Sequence, residues 1–272
     1  MLNKIDLEVF KNVIKKSTLN MSMVFTRIHF KDKKMYCSMV SSARDITTII
    51  ELKNTLVTLS TEDEVIFNFG NLEKALHTFD TVKKFLDQTE MEVKIYDGAD
   101  NPRIVLKPTQ RLEGETVQQN LSLAMVDEAV LNPHVLQNRQ KSDIPYFVKI
   151  DLTDEHISIL EQTKADAGRY GKIYLKVRSG KLFIDTTDQN NVYENKNLRP
   201  LTLQKIEIPD MVSCFDFNNF SNLLEIIQDE RSKEGGNSYS IGFGYDGNTE
   251  SGIMHVFDPE KTEQYFLFSR PL

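Results

Sequence analysis

Apolar positions along this chain fall into two similar series. Phe10, Val13 and Ile14 share one helical face and predict a helix near residues 6–17, with Asp6 as its N-cap or first-turn acid. Strand-like runs follow at Met23–Phe30 and Met35–Val40, joined by the polar turn Lys31-Asp32-Lys33-Lys34, and then at Ile46–Leu52 and Leu56–Leu59. The run Val65–Phe69 leads straight into a predicted helix at about 71–88, where Leu72, Ala75, Leu76, Phe79, Val82 and Leu86 keep helical spacing. Met91–Tyr96 and Arg103–Lys107 form a hairpin pattern around Asp97-Gly98, a pair suited to positive φ.

The series then repeats. Asp151 opens a predicted helix at 153–166, and Lys172–Arg178 pairs with Lys181–Thr187 across the tight turn Ser179-Gly180. Leu201–Ile208 and Val212–Phe217 read as strands, the latter running into a helix at about 218–231 with Phe220, Leu223, Leu224 and Ile227 on one face. Tyr239–Tyr245, Ile253–Phe257 and Gln264–Phe268 close the series, with Asp246-Gly247 at a turn. Three anchors recur in order. Ile5-Asp6-Leu7 returns as Ile150-Asp151-Leu152, Phe67-Asn68-Phe69 as Phe215-Asp216-Phe217, and Tyr96-Asp97-Gly98 as Tyr245-Asp246-Gly247. Their near-constant offset predicts two structurally equivalent halves. The boundaries expected are an N-terminal domain at 1–125, a connector at 126–144 and a C-terminal domain at 145–272. The looser region 108–144 holds Pro108, Gly114, Pro133 and the amide-rich Gln137-Asn138-Arg139-Gln140, and its apolar Leu121–Met125 is a candidate last strand of the first half.

Composition narrows the class. The 272 residues are 40% hydrophobic and 27% charged, as in a globular protein with a substantial core. No run approaches the roughly 18 apolar residues of a membrane span, and Met1-Leu2-Asn3-Lys4-Ile5-Asp6 lacks a signal-peptide core. Cys37 and Cys214 both sit in strand-like runs, which favours buried free thiols over a disulfide and a cytoplasmic setting. The net charge of −7 argues against a broad cationic coat.

Reactive constellations are missing from the pattern. His29, His77, His134, His156 and His255 show no metal-ligand spacing, so neither a metal nor a cofactor is expected. Phosphate-loop and nucleophile-elbow motifs are absent too. Asp185-Thr186-Thr187-Asp188 resembles a metal loop only superficially. Gly235-Gly236 follows a helix rather than preceding one, and so reads as a stop.

Charge on the helix faces carries more information. Lys4, Glu8, Lys11 and Lys15 fall on one stripe of the first helix, and Lys74, Thr78, Thr81 and Lys84 on one stripe of the second, flanked by His77. Lysines arrayed this way suit contact with phosphates without base reading. In the second half, Lys164 and Arg231 are candidates among more acids. Residues 1–140 hold 18 basic and 19 acidic side chains, and residues 141–272 hold 15 and 21, so any DNA-facing surface is weighted toward the first half.

The assembled pattern resembles a DNA sliding clamp of the two-domain type, the group that includes the eukaryotic and archaeal clamp and the clamps of large bacteriophages. The resemblance covers essentially the whole chain and is closest to the bacteriophage clamps, since this chain too is expected to start almost directly with its first helix. Ser38-Met39-Val40-Ser41-Ser42 resembles the strand and loop lining the partner pocket of the eukaryotic-type clamp, and Tyr265-Phe266-Leu267-Phe268-Ser269-Arg270-Pro271-Leu272 resembles its final strand. The resemblance implies an α+β DNA-clamp fold of two similar domains, each with two helices on antiparallel sheets. It implies a non-enzymatic homotrimer that encircles duplex DNA without sequence preference. It also implies that a DNA polymerase is tethered there and that an ATP-dependent loader opens the ring, with no membrane partner. The DNA-facing residues would be Lys4, Lys11, Lys15, Lys74, His77, Lys84, Lys164 and Arg231. The pocket for partner peptides would involve Met39, Leu121, Leu123, Phe266, Phe268 and Pro271. Two other classes fit the same pattern: a monomeric clamp-like processivity protein, and a phage structural or assembly protein built of duplicated β-rich domains.

Overall fold

The computed structural model describes residues 2–23, 25–31, 34–41, 43–52, 65–70, the single positions 72, 74, 76, 77 and 80, and residues 90–96, 103–107, 109–112, 115–118, 121–124, 145–167, 171–186, 198–202, 205–246 and 251–269. Two compact units emerge: Met1–Met39 with Thr48–Gln137, and Val40–Thr47 with Asn138–Leu272.

The first unit opens on strand β1 (Leu2–Asp6) and helix α1 (Leu7–Ser17), followed by β2 (Phe25–Lys31), β3 (Lys34–Val40), β4 (Ile46–Leu52) and β5 (Val65–Gly70). Leu72, Lys74, Leu76, His77 and Asp80 are helical. Then come β6 (Glu90–Tyr96), β7 (Arg103–Lys107), β8 (Thr109–Leu112), β9 (Glu115–Gln118) and β10 (Leu121–Ala124). One sheet has the order β1-β6-β7-β10, while β4-β3-β2-β5 forms part of another, and β8 and β9 make a separate hairpin. The second unit has β11 (Tyr146–Asp151), α2 (Asp154–Ala167), β12 (Lys172–Arg178), β13 (Lys181–Asp185), β14 (Arg199–Thr202), β15 (Met211–Asp216), α3 (Phe217–Ser232), β16 (Ser240–Asp246), β17 (Ser251–Phe257) and β18 (Glu263–Phe268). Its strands run β11-β16-β17-β18 and β14-β13-β12-β15, the same order as in the first unit.

The sequence anchors occupy matching places in the two units. Ile5 faces Met91 across β1 and β6, and Ile150 faces Ile241 across β11 and β16. Ile28 faces Phe67, as Ile173 faces Phe215. Tyr96 faces Arg103, as Tyr245 faces Gly252. A one-residue slip would turn every apolar side chain to the wrong face, so agreement of register at three places marks a duplication of structure.

Several elements depart from the sequence expectation. The first element is a strand, not a helix: β1 pairs along its length with β6, and β11 holds the same position in the second unit. Their five or six residues carry too short an alternation to register before a strong helix pattern. Asp151 ends β11 and accepts a hydrogen bond from the Ser240 hydroxyl at 2.6 Å, so it is not the cap of α2. Thr153 takes that place. Its carbonyl accepts the Ile157 N–H, its hydroxyl accepts the His156 N–H at 3.4 Å, and His156 Nδ1 accepts the Thr153 N–H at 3.2 Å. A histidine thus fills the reciprocal role usual for glutamate in a capping box. At α3 the Asp216 carboxylate accepts the Asn219 N–H at 3.0 Å. The strand expected over Leu201–Ile208 is confined to β14, and Ile206 instead donates its N–H to the Gly180 carbonyl at 2.8 Å. Ser179 and Gly180 both have positive φ, as the two-residue turn requires. The strand expected at Leu56–Leu59 and the connector at 126–144 lie outside the described residues.

Helices α1 and α3 bury the faces their spacing predicts. Phe10, Val13 and Ile14 are buried on α1, and Phe220, Leu223, Leu224 and Ile227 on α3. Cys37 and Cys214 are free and buried, and desolvation pushes the Cys37 thiol far up. Tyr239 donates to the Glu263 carboxylate at 2.6 Å, and burial raises the hydroxyls of Tyr239 and Tyr265, keeping both protonated.

After α1 the chain makes an unusual left-handed turn. Leu19, Asn20 and Met21 have φ of 50°, 55° and 68°. The turn persists because Asn20 N–H reaches the Lys15 carbonyl at 2.7 Å, Met23 N–H reaches the Thr18 carbonyl at 3.0 Å, and Leu19 is fully buried. A left-handed conformation costs a non-glycine residue about 1–2 kcal/mol. Glycine at Met21, whose side chain is only half-buried, removes most of that cost, partly offset by the greater freedom it gives the unfolded chain. Met21→Gly should therefore stabilise the protein by about 0.5–1 kcal/mol, read as a higher urea midpoint at unchanged slope.

Candidate nucleic-acid interface and partner pocket

The helices of the second unit lie antiparallel, joined by three polar rungs. Lys164 Nζ of α2 meets Glu225 Oε1 of α3 at 2.6 Å, Gln228 of α3 donates to Glu161 of α2, and Arg231 at the end of α3 pairs with Asp154 at the start of α2. Arg231 also donates to the Leu152 carbonyl at 2.9 Å, tying the loop that enters α2. In the first unit Lys11 of α1 pairs with Asp80 in the same manner.

These rungs decide what the candidate cations can do. Lys15 is exposed on the last turn of α1 and forms no ion pair with a described residue, so its charge is available to an external anion. Lys74 is helical and exposed, and His77 is helical and exposed beside it. Lys11 is partly buried against Asp80. Lys4, expected at the head of the α1 stripe, lies instead on β1 at the register position opposite Glu92. Lys84 lies outside the described residues. Lys164 and Arg231 are engaged in bonds within their own unit, which spacing along one helix does not reveal because both partners sit on another helix. Asp80 was missed for the same reason, although it falls one helical turn from His77 and so shares its stripe.

The acid balance of the second unit is pronounced. Helix α2 carries Asp154, Glu155, Glu161 and Asp166 against Lys164, and α3 carries Glu225, Asp229 and Glu230 against Arg231. Helix α1 carries Glu8 against Lys11, Lys15 and Lys16. Asp166 is partly offset by Arg199, and Glu230 by Lys233. Glu155 and Asp229 are exposed and form no ion pair with a described residue.

The residues expected in the partner pocket divide between the units. Met39 is buried at the end of β3, and Leu121 and Leu123 lie on β10 opposite Leu106 and Ile104 of β7. In the second unit Phe266 is buried. Its ring stacks on His255 at 3.9 Å between centroids, so it belongs to a cluster with Phe257 and Tyr146 rather than to an open lining. Phe268 is half-exposed, and its N–H donates to the Asp45 carbonyl at 2.8 Å. Asp45 in turn accepts the Ser41 hydroxyl at 2.6 Å, which fixes the loop between β3 and β4. Pro271 lies outside the described residues. The segment that looked faintly like a metal loop is structural: Asp185 is buried, pairs with Lys176 on β12 and accepts the Thr186 N–H at 2.8 Å. Among the described residues no three His, Cys, Asp or Glu side chains converge on a metal position, and no helix is long and apolar enough to cross a membrane.

No protein-family model and no curated protein matches the chain by sequence. Solved structures match by shape. A PCNA from Thermococcus kodakaraensis aligns over 100% of both chains at 14% identity, with a TM-score of 0.60. The A. fulgidus PCNA, solved with the C-terminal region of FEN-1, aligns over 100% of this chain and 98% of its own at 12% identity, with a TM-score of 0.59. The Proliferating Cellular Nuclear Antigen of Entamoeba histolytica aligns over 99% of each chain at 12% identity, with a TM-score of 0.61. At such identities the likeness speaks for the backbone alone, and near-full coverage in both directions leaves no unmatched domain on either side. The chain is thus an α+β protein of two similar units, helices on antiparallel sheets, with the DNA-clamp fold these proteins share.

Proposed function

We propose that this chain is a sliding clamp: a non-enzymatic ring of three copies that encircles duplex DNA and tethers a replicative polymerase. The observation that carries the reading is the duplicated unit with matched strand order and register, together with alignment over its full length to clamp structures. Two such structures contain further components, the C-terminal region of FEN-1 in one and a PCNA2–PCNA3 complex from Sulfolobus tokodaii in the other. By that analogy this chain assembles with further clamp chains, taken here as copies of itself, and docks partner peptides near the Ser41–Asp45 loop and Phe268. An ATP-dependent loader opens the ring, as the chain carries no nucleotide motif of its own. The resemblance to bacteriophage clamps rests on an expected first helix, a place that β1 takes instead.

Topological linkage explains why a net charge of −7 is compatible with a DNA partner. A closed ring needs no tight grip, only a few phosphate contacts that break and re-form as it slides. Tethering then raises the local concentration of polymerase at the primer end. Native mass spectrometry at micromolar protein should find a species of three times 31.3 kDa. A monomer alone across that range would overturn the ring and favour a clamp-like monomer. Lys15→Glu with Lys74→Glu should leave the protein folded, read by circular dichroism. The same pair should shorten polymerase runs on a loaded template and flatten the salt dependence of DNA binding, by about one unit of log–log slope for each lysine–phosphate pairing removed.

A further inference from the structure

We infer that the helical face of the second unit is an exclusion surface, kept anionic so that duplex DNA touches the helices of the first unit only. The inference rests on the clamp reading and deepens it by assigning the phosphate contacts to one unit.

Helices α2 and α3 together carry seven acids against two bases, whereas α1 carries one acid against three bases, of which Lys16 is buried and Lys15 is exposed. Both bases of the α2–α3 pair are also tied down. Lys164 meets Glu225, and Arg231 meets Asp154 and the Leu152 carbonyl, so moving either toward a phosphate would break a rung between the helices or open the loop into α2. Of the other acids, Glu230 is buried beside Lys233 and Asp166 meets Arg199, which leaves three that face solvent without a cation. Glu155, Glu161 and Asp229 are exposed, and Asp154 keeps a 98% exposed side chain even while paired. The structural role of the cations and the exposure of the surplus acid are one arrangement: the rungs use both cations and leave the solvent-facing edge negative. In the first unit the corresponding rung, Lys11 to Asp80, uses one cation and leaves Lys15 to meet an external anion.

A duplex brought to the α2–α3 face would meet uncompensated carboxylates within a Debye length, about 10 Å at 0.1 M salt. Exposed like charges repel only modestly at such distances. The face therefore biases the position of DNA without blocking passage, which suits a protein that must slide.

The test is an NMR titration of the intact protein with a short duplex at low salt, a method that reads millimolar binding. Expected amide shifts fall on α1, around Lys15, and spare α2 and α3. Neutralising the unpaired acids with Glu155→Gln and Asp229→Asn, which touches no rung, should tighten binding about threefold and bring shifts onto α2 and α3. Lys15→Gln should weaken binding by a similar factor. If Lys15→Gln weakens binding but the carboxylate variant leaves affinity unchanged or lowers it, the exclusion surface is wrong and the clamp reading stands. Shifts on α2 and α3 in the wild-type protein overturn the inference in the same way. If the wild-type protein shows no shifts with any duplex, both readings fall together.

Discussion

Lys176→Met should destabilise the second unit by about 3–5 kcal/mol. Lys176 on β12 and Asp185 on β13 are both 0% exposed and pair with each other across the hairpin. Tyr174 places its ring 5.9 Å from the lysine nitrogen, and the Thr186 N–H also donates to the carboxylate. Removing the ammonium leaves a buried carboxylate without its counter-charge, the situation that makes breaking a buried pair so costly. The pair itself adds little net stability, because both charges are desolvated, so Lys176→Met with Asp185→Leu should recover most of the loss. Urea unfolding of the two variants separates the cases. A loss under about 1 kcal/mol in the single variant would mean that water reaches the pair. No recovery in the double variant would mean that the site requires the charges for its packing.

The second large effect is a pH dependence that traces to one histidine. His255 is 2% exposed, its Nδ1 is bonded to the Tyr146 hydroxyl, and its ring lies against Phe257 and Phe266. Desolvation, followed by the nearby positive charge of Lys261, lowers its pKa from 6.5 to about 3, against a small opposing contribution from Gln264. Lys149 adds a second ammonium over the neighbouring Phe257 ring at 5.3 Å. Between pH 6.5 and about 3 the unfolded chain therefore holds a proton at this position that the folded chain does not. Stability contributed by neutral His255 is complete above pH 6.5 and falls as pH drops through that window, by about 1.4 kcal/mol per unit once well below 6.5. From about pH 8 to about pH 5 the loss should be about 2 kcal/mol. His255→Phe keeps the stacked ring and removes the titration, so its midpoint should be offset by the missing tyrosine bond yet fall less steeply. Equal slopes in the two proteins would assign the acid sensitivity to other groups.

Periodicity revealed what long apolar patterns encode: α1, α3, the hairpin of β12 and β13, and the recurrence of anchors that proved to share register. It missed β1 and β11, whose partners lie far along the chain, so no local turn announces them. It missed β8 and β9 because Thr109–Gln118 is polar and its pairing runs through the backbone rather than an apolar face. The same limit governs the candidate interface. Spacing along one helix found Lys11, Lys15, Lys74 and His77 as candidates. It had no means of showing that Lys164 and Arg231 are held by Glu225 and Asp154, because cross-helix pairing is set by packing. Phe266 followed a similar course: its aromatic character was visible, but the stack on His255 depends on β17 lying beside β18.

The grouping of residues 40–47 with the second unit bears on the order in which the protein is made. Asp45 emerges early from a ribosome, yet the strand that receives its carbonyl, ending at Phe268, is synthesised long afterwards. Ile5 can find Met91 once the first unit has emerged, and Ile150 must wait for Ile241. A translation product that stops short of β18 thus lacks the Phe268 N–H that the Asp45 carbonyl accepts, although Ser41 already bonds Asp45 within the loop. Only synthesis through Phe268 supplies that carbonyl with its donor, so this bond between residues far apart in sequence is among the last the chain can close.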